Sequence, residues 1–140
     1  IFTLKDIKLN SFVDPLVPGV TCHVASIEAN LSLSDPSDSA VSCRQTGEIT
    51  PAMIARIKKG KTGEVVFEKS KSVFLKTLKI RRIFDEESQT LMYLSYSTRE
   101  TSGSFKHSLS TIPLWGTAAY VEPQSKRQAT DPQSNRTQSF

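Results

Sequence analysis

Three β-prone segments between Gly63 and Ser97 constrain the fold of this chain more than any other feature. The first two read GEVVF and SVFLKTLKIRRIF, and the third, TLMYLSYS, follows the polar stretch DEESQ. β-branched and aromatic residues recur in all three, and these types suit a half-buried pleated surface. The polar residues from Asp85 to Gln89 are typical of a hairpin turn. The sequence therefore predicts an antiparallel β-meander.

Four further strands are predicted from local alternation of apolar and polar residues and from the Pro, Gly, Asp and Ser residues between them. They lie near residues 6–13, 20–27, 40–43 and 108–114. Alternation within the second of these strands places Cys22 on its inward face and His23 on the opposite face.

One helix is expected at about residues 50–59. Thr50 is a typical N-cap, Pro51 fits the first helical position, and Gly60 fits the residue that ends the helix. The predicted fold class is α+β, predominantly antiparallel β, with a single-domain β-meander or sandwich-like sheet and this one short helix.

The length of 140 residues and the hydrophobic content of 37% suit one domain with one core. We expect residues 1–115 to form this β-rich domain. Residues 116–140 are rich in Gln, Ser, Thr and Pro, a composition that rarely buries enough apolar surface to fold. The sequence therefore predicts a flexible, polar C-terminal tail.

No apolar run approaches the roughly 20 residues that a transmembrane helix needs, so no transmembrane segment is predicted. The sequence begins at Ile1 rather than Met. We interpret it as a processed or trimmed product, and this start is compatible with a signal peptide upstream.

Basic residues are concentrated in residues 56–82, which contain ten of the eighteen Lys and Arg and only Glu64 and Glu68 as acidic residues. The overall formal charge is only +4, too small an excess to predict nucleic-acid binding. The local excess instead favours an anionic partner, such as an anionic component of a cell envelope.

Strand alternation identifies the candidate anion-binding residues of this basic segment. Lys79 and Arg81 share one face of their strand, Arg82 begins the opposite face, and Lys69 and Lys71 lie at the preceding turn. Arg81 is the strongest candidate, because a guanidinium group can hold a phosphate or carboxylate with two parallel hydrogen bonds. The alternative interpretation is an ordinary solvated sheet face, in which Lys also discourages edge-to-edge aggregation.

Motifs for catalysis and for cofactor or metal binding are missing from the sequence. His23 and His107 lack the spacing of a zinc site, and Gly60-Lys61-Thr62 lacks the preceding strand and glycine of a phosphate-binding loop. No Ser or Cys stands in a local nucleophile signature. We therefore predict no metal, no cofactor and no enzymatic activity, with an uncharacterised enzyme as an alternative.

Two cysteines, Cys22 and Cys43, lie on two predicted strands that flank one loop. In a reducing cytosol they would be small buried hydrophobic residues, whereas in an oxidising compartment this placement suits a disulfide. The sequence contains no CxxC redox motif.

Six segments of the chain resemble the CreA family of small bacterial proteins. They are DPLVPGVTCHVAS, SDSAVSCRQTGEI, GEVVF, VFLKTLKIRRIFD, TLMYLSYS and HSLSTIPL. The resemblance covers about residues 6–114 and is most specific around Gly19 to Cys22, Ser42 to Gln45 and the start of the meander at Gly63. Where the family tends to have a Gly-rich loop between its cysteines, this chain has ANLSLSDP at residues 29–36.

The resemblance implies a protein that is exported to the periplasm after cleavage of a secretory signal, and it strengthens the expectation of a disulfide. The family has no established activity. We therefore expect an exported protein of unknown biochemical role that acts by binding rather than by catalysis. An anion-binding envelope module that uses residues 56–82 is the alternative.

Overall fold

The computed structural model describes residues 2–4, 7–27, 39–71, 76–97 and 107–123. Within these ranges the chain forms eight strands and one helix. In chain order they are β1 (Phe2–Leu4), β2 (Ile7–Val13), β3 (Val20–Ile27), β4 (Ser39–Gln45), α1 (Pro51–Arg56), β5 (Glu64–Lys71), β6 (Lys76–Asp85), β7 (Thr90–Ser97) and β8 (His107–Pro113).

The strands form two four-stranded antiparallel sheets in which sequential strands are neighbours. Sheet 1 has the order β1-β2-β3-β4, and sheet 2 has the order β5-β6-β7-β8. This architecture confirms the predicted fold class, mostly antiparallel β with one short helix. The expected meander is the first three strands of sheet 2.

The hairpin between β6 and β7 has the predicted turn. Asp85 accepts a hydrogen bond from the Glu87 backbone N–H at 3.2 Å and another from the Ser88 hydroxyl at 2.7 Å. Gln89 takes a positive φ of 50° immediately before β7 begins. Short polar side chains thus close the turn and fix the register of the two strands.

Helix α1 starts as predicted and ends earlier. The Thr50 side chain accepts from the Met53 backbone N–H and Pro51 opens the helix, which ends at Arg56 rather than near Gly60. The predicted end is wrong because Ile57 adopts an extended conformation, with ψ of 154°, and is 5% exposed. Burial of this side chain overrides the weak local preference for three further helical residues.

The hydrophobic core lies between the two sheets. Sheet 1 contributes Val20, Cys22, Val24 and Val41. Sheet 2 contributes Ile80, Leu91, Tyr93 and Ile112. Phe12 of β2 stacks on Phe67 of β5 with ring centroids 4.7 Å apart, which joins the sheets on a second side.

Serine side chains connect the sheets where β4 meets β8. The backbone N–H groups of Val41 and Cys43 donate to the hydroxyls of Ser108 and Ser110 at 3.1 and 2.8 Å. Ser108 also exchanges a 2.7 Å hydrogen bond with Ser95 of β7. Backbone donors at the edge of sheet 1 are therefore satisfied by side chains of sheet 2.

Residues 116–123 of the predicted tail belong to the described structure. Ala119 is 4% exposed, and its backbone N–H donates to the Ile49 carbonyl at 3.1 Å. The Gln89 side chain donates to the Val121 carbonyl at 2.6 Å and accepts from the Val121 N–H at 2.9 Å. Contacts with the domain therefore continue past residue 115. Residues 28–38 and 124–140 lie outside the described residues.

Candidate functional site

Adjacent arginines of β6 lie on opposite faces of sheet 2. Arg82 points into the protein and is only 2% exposed, whereas Arg81 is half-buried on the outer face. Successive side chains of a strand alternate between faces, so this arrangement confirms the predicted alternation. The two residues therefore meet different electrostatic environments.

Two neutral acceptors fix the orientation of the Arg81 guanidinium. Its Nε donates to the Tyr96 hydroxyl at 2.7 Å, and its Nη1 donates to the Thr62 carbonyl at 3.1 Å. Within the described ranges no carboxylate forms an ion pair with Arg81. Arg81 thus presents a positive charge that is held in place and that no carboxylate of the described residues pairs with.

Aliphatic residues surround Arg81 on the same face. Val65 of β5 and Leu94 of β7 are its cross-strand partners, and Leu109 of β8 pairs with Leu94. Val65 is 37% exposed and Leu109 is 56% exposed. Paired residues of an antiparallel sheet share a face, so a cation and an apolar row lie side by side.

We call this outward surface of sheet 2 the Arg81 face. It consists of Val65, Glu68, Lys79, Arg81, Ile83, Asp85, Thr90, Met92, Leu94, Tyr96, His107, Leu109 and Thr111. Lys79, a predicted anion-binding residue, is half-buried there between Glu68 and Tyr96. The structure therefore brings together two of the five predicted anion-binding residues.

Lys69 and Lys71 occupy different register positions from Lys79. Lys69 pairs with Leu78 and Lys71 pairs with Lys76, whereas Lys79 pairs with Glu68. The side chains of Lys69 and Lys71 lie outside the described residues. Their predicted convergence with Lys79 and Arg81 therefore stays a prediction.

Arg82 belongs to a buried cluster of charged and polar groups. Its Nη1 and Nη2 donate to Glu64 Oε1 at 3.1 and 2.7 Å, and its Nε lies 3.2 Å from Asp14 Oδ2. The same Asp14 oxygen accepts a 2.6 Å hydrogen bond from the Tyr93 hydroxyl. Arg82 Nε is at ion-pair distance but makes no hydrogen bond. This guanidinium is engaged inside the fold and is not accessible to an external anion.

Asp14 connects the turn after β2 to sheet 2. Its Oδ1 accepts from the backbone N–H groups of Leu16 and Val17 at 3.0 and 3.3 Å, and the residue is fully buried. Burial, together with the negative charge of Asp14, raises the pKa of Tyr93 well above its ordinary value. The Tyr93 phenol therefore stays a proton donor to Asp14.

Gly63 permits the approach that places Glu64 beside Arg82. It adopts a positive φ of 56°, and an added Cβ would overlap the Arg82 carbonyl. Glu64 then begins β5 directly opposite Arg82 and also accepts from the Lys58 backbone N–H at 3.2 Å. A side chain at position 63 would displace the start of the strand.

Sequence reasoning missed Asp14 and Tyr93 as partners of Arg82. Asp14 precedes Pro15 in a sequence that is typical of a turn, and 79 positions separate it from Tyr93. Strand alternation could have identified Tyr96, the acceptor for Arg81. Tyr96 lies two residues from Leu94 on the same face of a strand that neighbours Arg81 in the predicted meander.

Cys22 and Cys43 form a disulfide. They are directly opposite each other in β3 and β4, with Cα atoms 4.0 Å apart, and Cys22 is fully buried. The expected pairing is confirmed. The bond joins two neighbouring strands of sheet 1 and faces the core, whereas His23 is exposed on the other face.

In the described part of the chain, no three His, Cys, Asp or Glu residues lie close enough together to hold a metal ion. Among the same residues, no helix is long and apolar enough to cross a membrane.

The fold defines a small β protein with two sheets and a disulfide. A family model described as CreA protein matches residues 1–117. Protein CreA of Escherichia coli K12 is 41% identical over 115 residues, covering 77% of this chain and 72% of the relative. The CreA proteins of Escherichia coli O6:H1 and O157:H7 give the same values.

The chain therefore belongs to the CreA family. No solved structure gives a significant match. These relatives carry only the family name, so the biochemical role must be argued from the residues of the chain itself.

Proposed function

We propose that this protein is exported to the periplasm and acts there by non-catalytic binding. The Cys22–Cys43 disulfide carries the proposal for export, because disulfides form and persist in oxidising compartments and are rare in the cytosol. Cys22 is fully buried, so the disulfide is part of the packed interior and not a bond between two exposed cysteines.

The test of export is the location and thiol content of the protein in its own cells. Cells are fractionated, the protein is unfolded without reductant in the presence of an alkylating reagent, and its free thiols are counted by mass spectrometry as the alkyl groups that it carries. Export predicts a periplasmic protein with no free thiol. A cytoplasmic protein with two free thiols would contradict both export and the structural role of the bond.

An anion-binding role for the Arg81 face is the form of binding that we favour. Its support is the orientation of Arg81, whose guanidinium is held by neutral acceptors and lacks a carboxylate partner among the described residues. Lys79 lies two residues away on the same face, and Lys58, Lys59 and Lys61 are exposed in the loop that ends at Thr62. Such a group of cations attracts anions.

Anion binding is tested with the double variant Lys79→Gln/Arg81→Gln and an immobilised anionic polymer as the probe. We expect weaker retention and a flatter dependence on salt, because fewer ion pairs form. Arg44→Gln is the matched control, since Arg44 is exposed on sheet 1. Equal retention of the double variant and the parent protein would refute the anion-binding role.

The enzyme alternative needs His23 or His107 beside a nucleophile in a cleft. His23 is exposed on the outer face of sheet 1, where its register neighbours are Ser11 and Ser42. Both serines are exposed as well. His107 is exposed on β8 opposite Tyr96. We favour binding over catalysis because neither exposed histidine has the burial that would orient or activate a nucleophile.

A further inference from the structure

The outward residues of β6 and of the turn after it have a self-complementary charge pattern. Along β6 the outward residues are Lys79, Arg81, Ile83 and Asp85, and Glu87 is exposed in the turn that follows. Two cations precede the central isoleucine and two carboxylates follow it at the same spacings. Read backwards from Glu87 to Lys79, the pattern again has two charges, an isoleucine and two charges, with the sign of every charge reversed.

Strand geometry converts this pattern into a pairing rule. Same-face residues of a strand are about 6.7 Å apart, twice the rise per residue. A two-fold axis that lies midway between two facing copies of the sheet and runs at a right angle to β6 at Ile83 would therefore place Arg81 opposite Asp85 of a second copy. The same axis would place Lys79 opposite the turn that follows Asp85 in that copy, where Glu87 is exposed. Facing sheets pack about 10 Å apart, a gap that Arg and Lys side chains span.

We propose that the Arg81 face is the interface of a symmetric homodimer, in which Arg81 and Lys79 of each copy pair with Asp85 and Glu87 of the other. This inference rests on the proposed anion-binding role and names the anion as the carboxylates of a second copy. Closed two-fold interfaces use the same patch on both subunits, which requires a self-complementary surface.

The apolar part of the Arg81 face supports this partner. Val65 and Leu109 are 37% and 56% exposed, and they flank Arg81 and Leu94 in one row across all four strands. Arg, Tyr and Met are enriched at the centres of protein interfaces, and Arg81, Tyr96 and Met92 are all present here. Dimerisation would bury this row and supply the carboxylate that Arg81 lacks within the described residues.

The state of Asp85 fits its role in this interface. The hydrogen bond from the Ser88 hydroxyl lowers the pKa of Asp85, so the carboxylate is ionised at neutral pH. A carboxylate has about four acceptor positions, and the turn uses two of them. Asp85 can therefore close its own turn and still accept from Arg81 of a second copy.

The test is a charge-swap series on the full chain, with molar mass measured by sedimentation equilibrium at low salt. The parent protein is expected to have twice the monomer mass of 15.5 kDa. Lys79→Glu and Glu87→Lys each place like charges opposite each other, so each should raise the dimer dissociation constant at least about tenfold. The double variant Lys79→Glu/Glu87→Lys restores opposite charges and should return the dissociation constant to near the parent value.

Arg44→Glu serves as the control for a general effect of charge, because Arg44 lies on sheet 1 and should leave the dimer unchanged. A parent protein that is monomeric at millimolar concentration would overturn the dimer. So would a double variant that associates no better than the two single variants. Retention on the anionic polymer separates the two proposals. A monomer that still binds the polymer through Arg81 leaves the proposed function standing, and a monomer that does not bind it removes both.

Discussion

The two faces of β6 show how neighbouring residues of one type acquire different roles. On the inner face Arg82 is 2% exposed and lies between Glu64 and Asp14. On the outer face Arg81 is held by Tyr96 and Thr62, which carry no charge. The inner arginine is neutralised within the fold, whereas the outer one has no carboxylate partner among the described residues, and we propose that its charge serves an external partner.

This difference shows that a high local charge does not by itself measure binding capacity. Arg82 is one of the ten Lys and Arg residues in residues 56–82, but its ion pairs with Glu64 and Asp14 replace the hydration that it loses on burial. Removing one member of such a cluster leaves another charge buried and unpaired. Substitutions on the inner face of β6 should therefore lower the free energy of unfolding strongly, and substitutions on its outer face should lower it only weakly.

The largest expected effect is that of Asp14→Ala. This change removes the acceptor of two backbone N–H groups, the partner of the Tyr93 hydroxyl and the charge beside Arg82 Nε. We expect the free energy of unfolding to fall by about 3–5 kcal/mol, the usual cost of breaking a buried charge pair. Urea unfolding followed by near-UV circular dichroism measures it. A loss below 1 kcal/mol would mean that the cluster is not a main source of stability.

Reduction of the disulfide is the next largest effect. Closing a loop with a sequence separation of 21 contributes about 3 kcal/mol in the chain-entropy model. Unfolding with and without reductant should differ by this amount, and the double variant Cys22→Ala/Cys43→Ala should not respond to reductant. Reduced protein that remains folded should still bind the anionic polymer, because the bond lies in sheet 1. Loss of that binding in folded protein would contradict the separation of the two regions.

Tyr93→Phe tests the inner cluster through pH. The pKa of Tyr93 is raised in the folded protein, so its contribution to stability is complete below the ordinary tyrosine pKa of about 10 and is lost as pH rises above it. The free energy of unfolding of the parent protein should therefore fall more steeply between pH 10 and 11 than that of Tyr93→Phe. At pH 7 the variant should lose about 1 kcal/mol for the missing hydrogen bond. Parallel curves above pH 10 would refute a protonated, buried phenol.

The sequence alone predicted the elements whose signals are local. Strands β3 and β7 have the expected bounds because turn residues and alternating apolar residues mark both ends of each. Alternation also placed Arg81 and Arg82 on opposite faces. The early end of α1 was not predictable, because the burial of Ile57 and the Lys58–Glu64 hydrogen bond depend on the packing of β5.

The partners of Arg82 could not be derived from the sequence for a similar reason. Asp14 meets Tyr93 and Arg82 only when the turn after β2 packs against sheet 2, and no pattern in a single sequence records that contact. The docking of Ala119 beside Ile49 is also a tertiary contact between distant segments. Local chemistry predicted the strands, and the packing of the two sheets determined the site.

The division between the two arginines is tested most directly by measuring Arg81→Gln and Arg82→Gln in parallel. For each variant, the free energy of unfolding in urea and the retention on an anionic polymer are compared with those of the parent protein. We expect Arg81→Gln to lose less than about 1 kcal/mol of stability and to bind more weakly, since its partners are neutral and partly exposed. Arg82→Gln should lose about 3–5 kcal/mol and, where it remains folded, bind normally. Equal losses of stability in the two variants, or weaker binding in folded Arg82→Gln alone, would contradict this division.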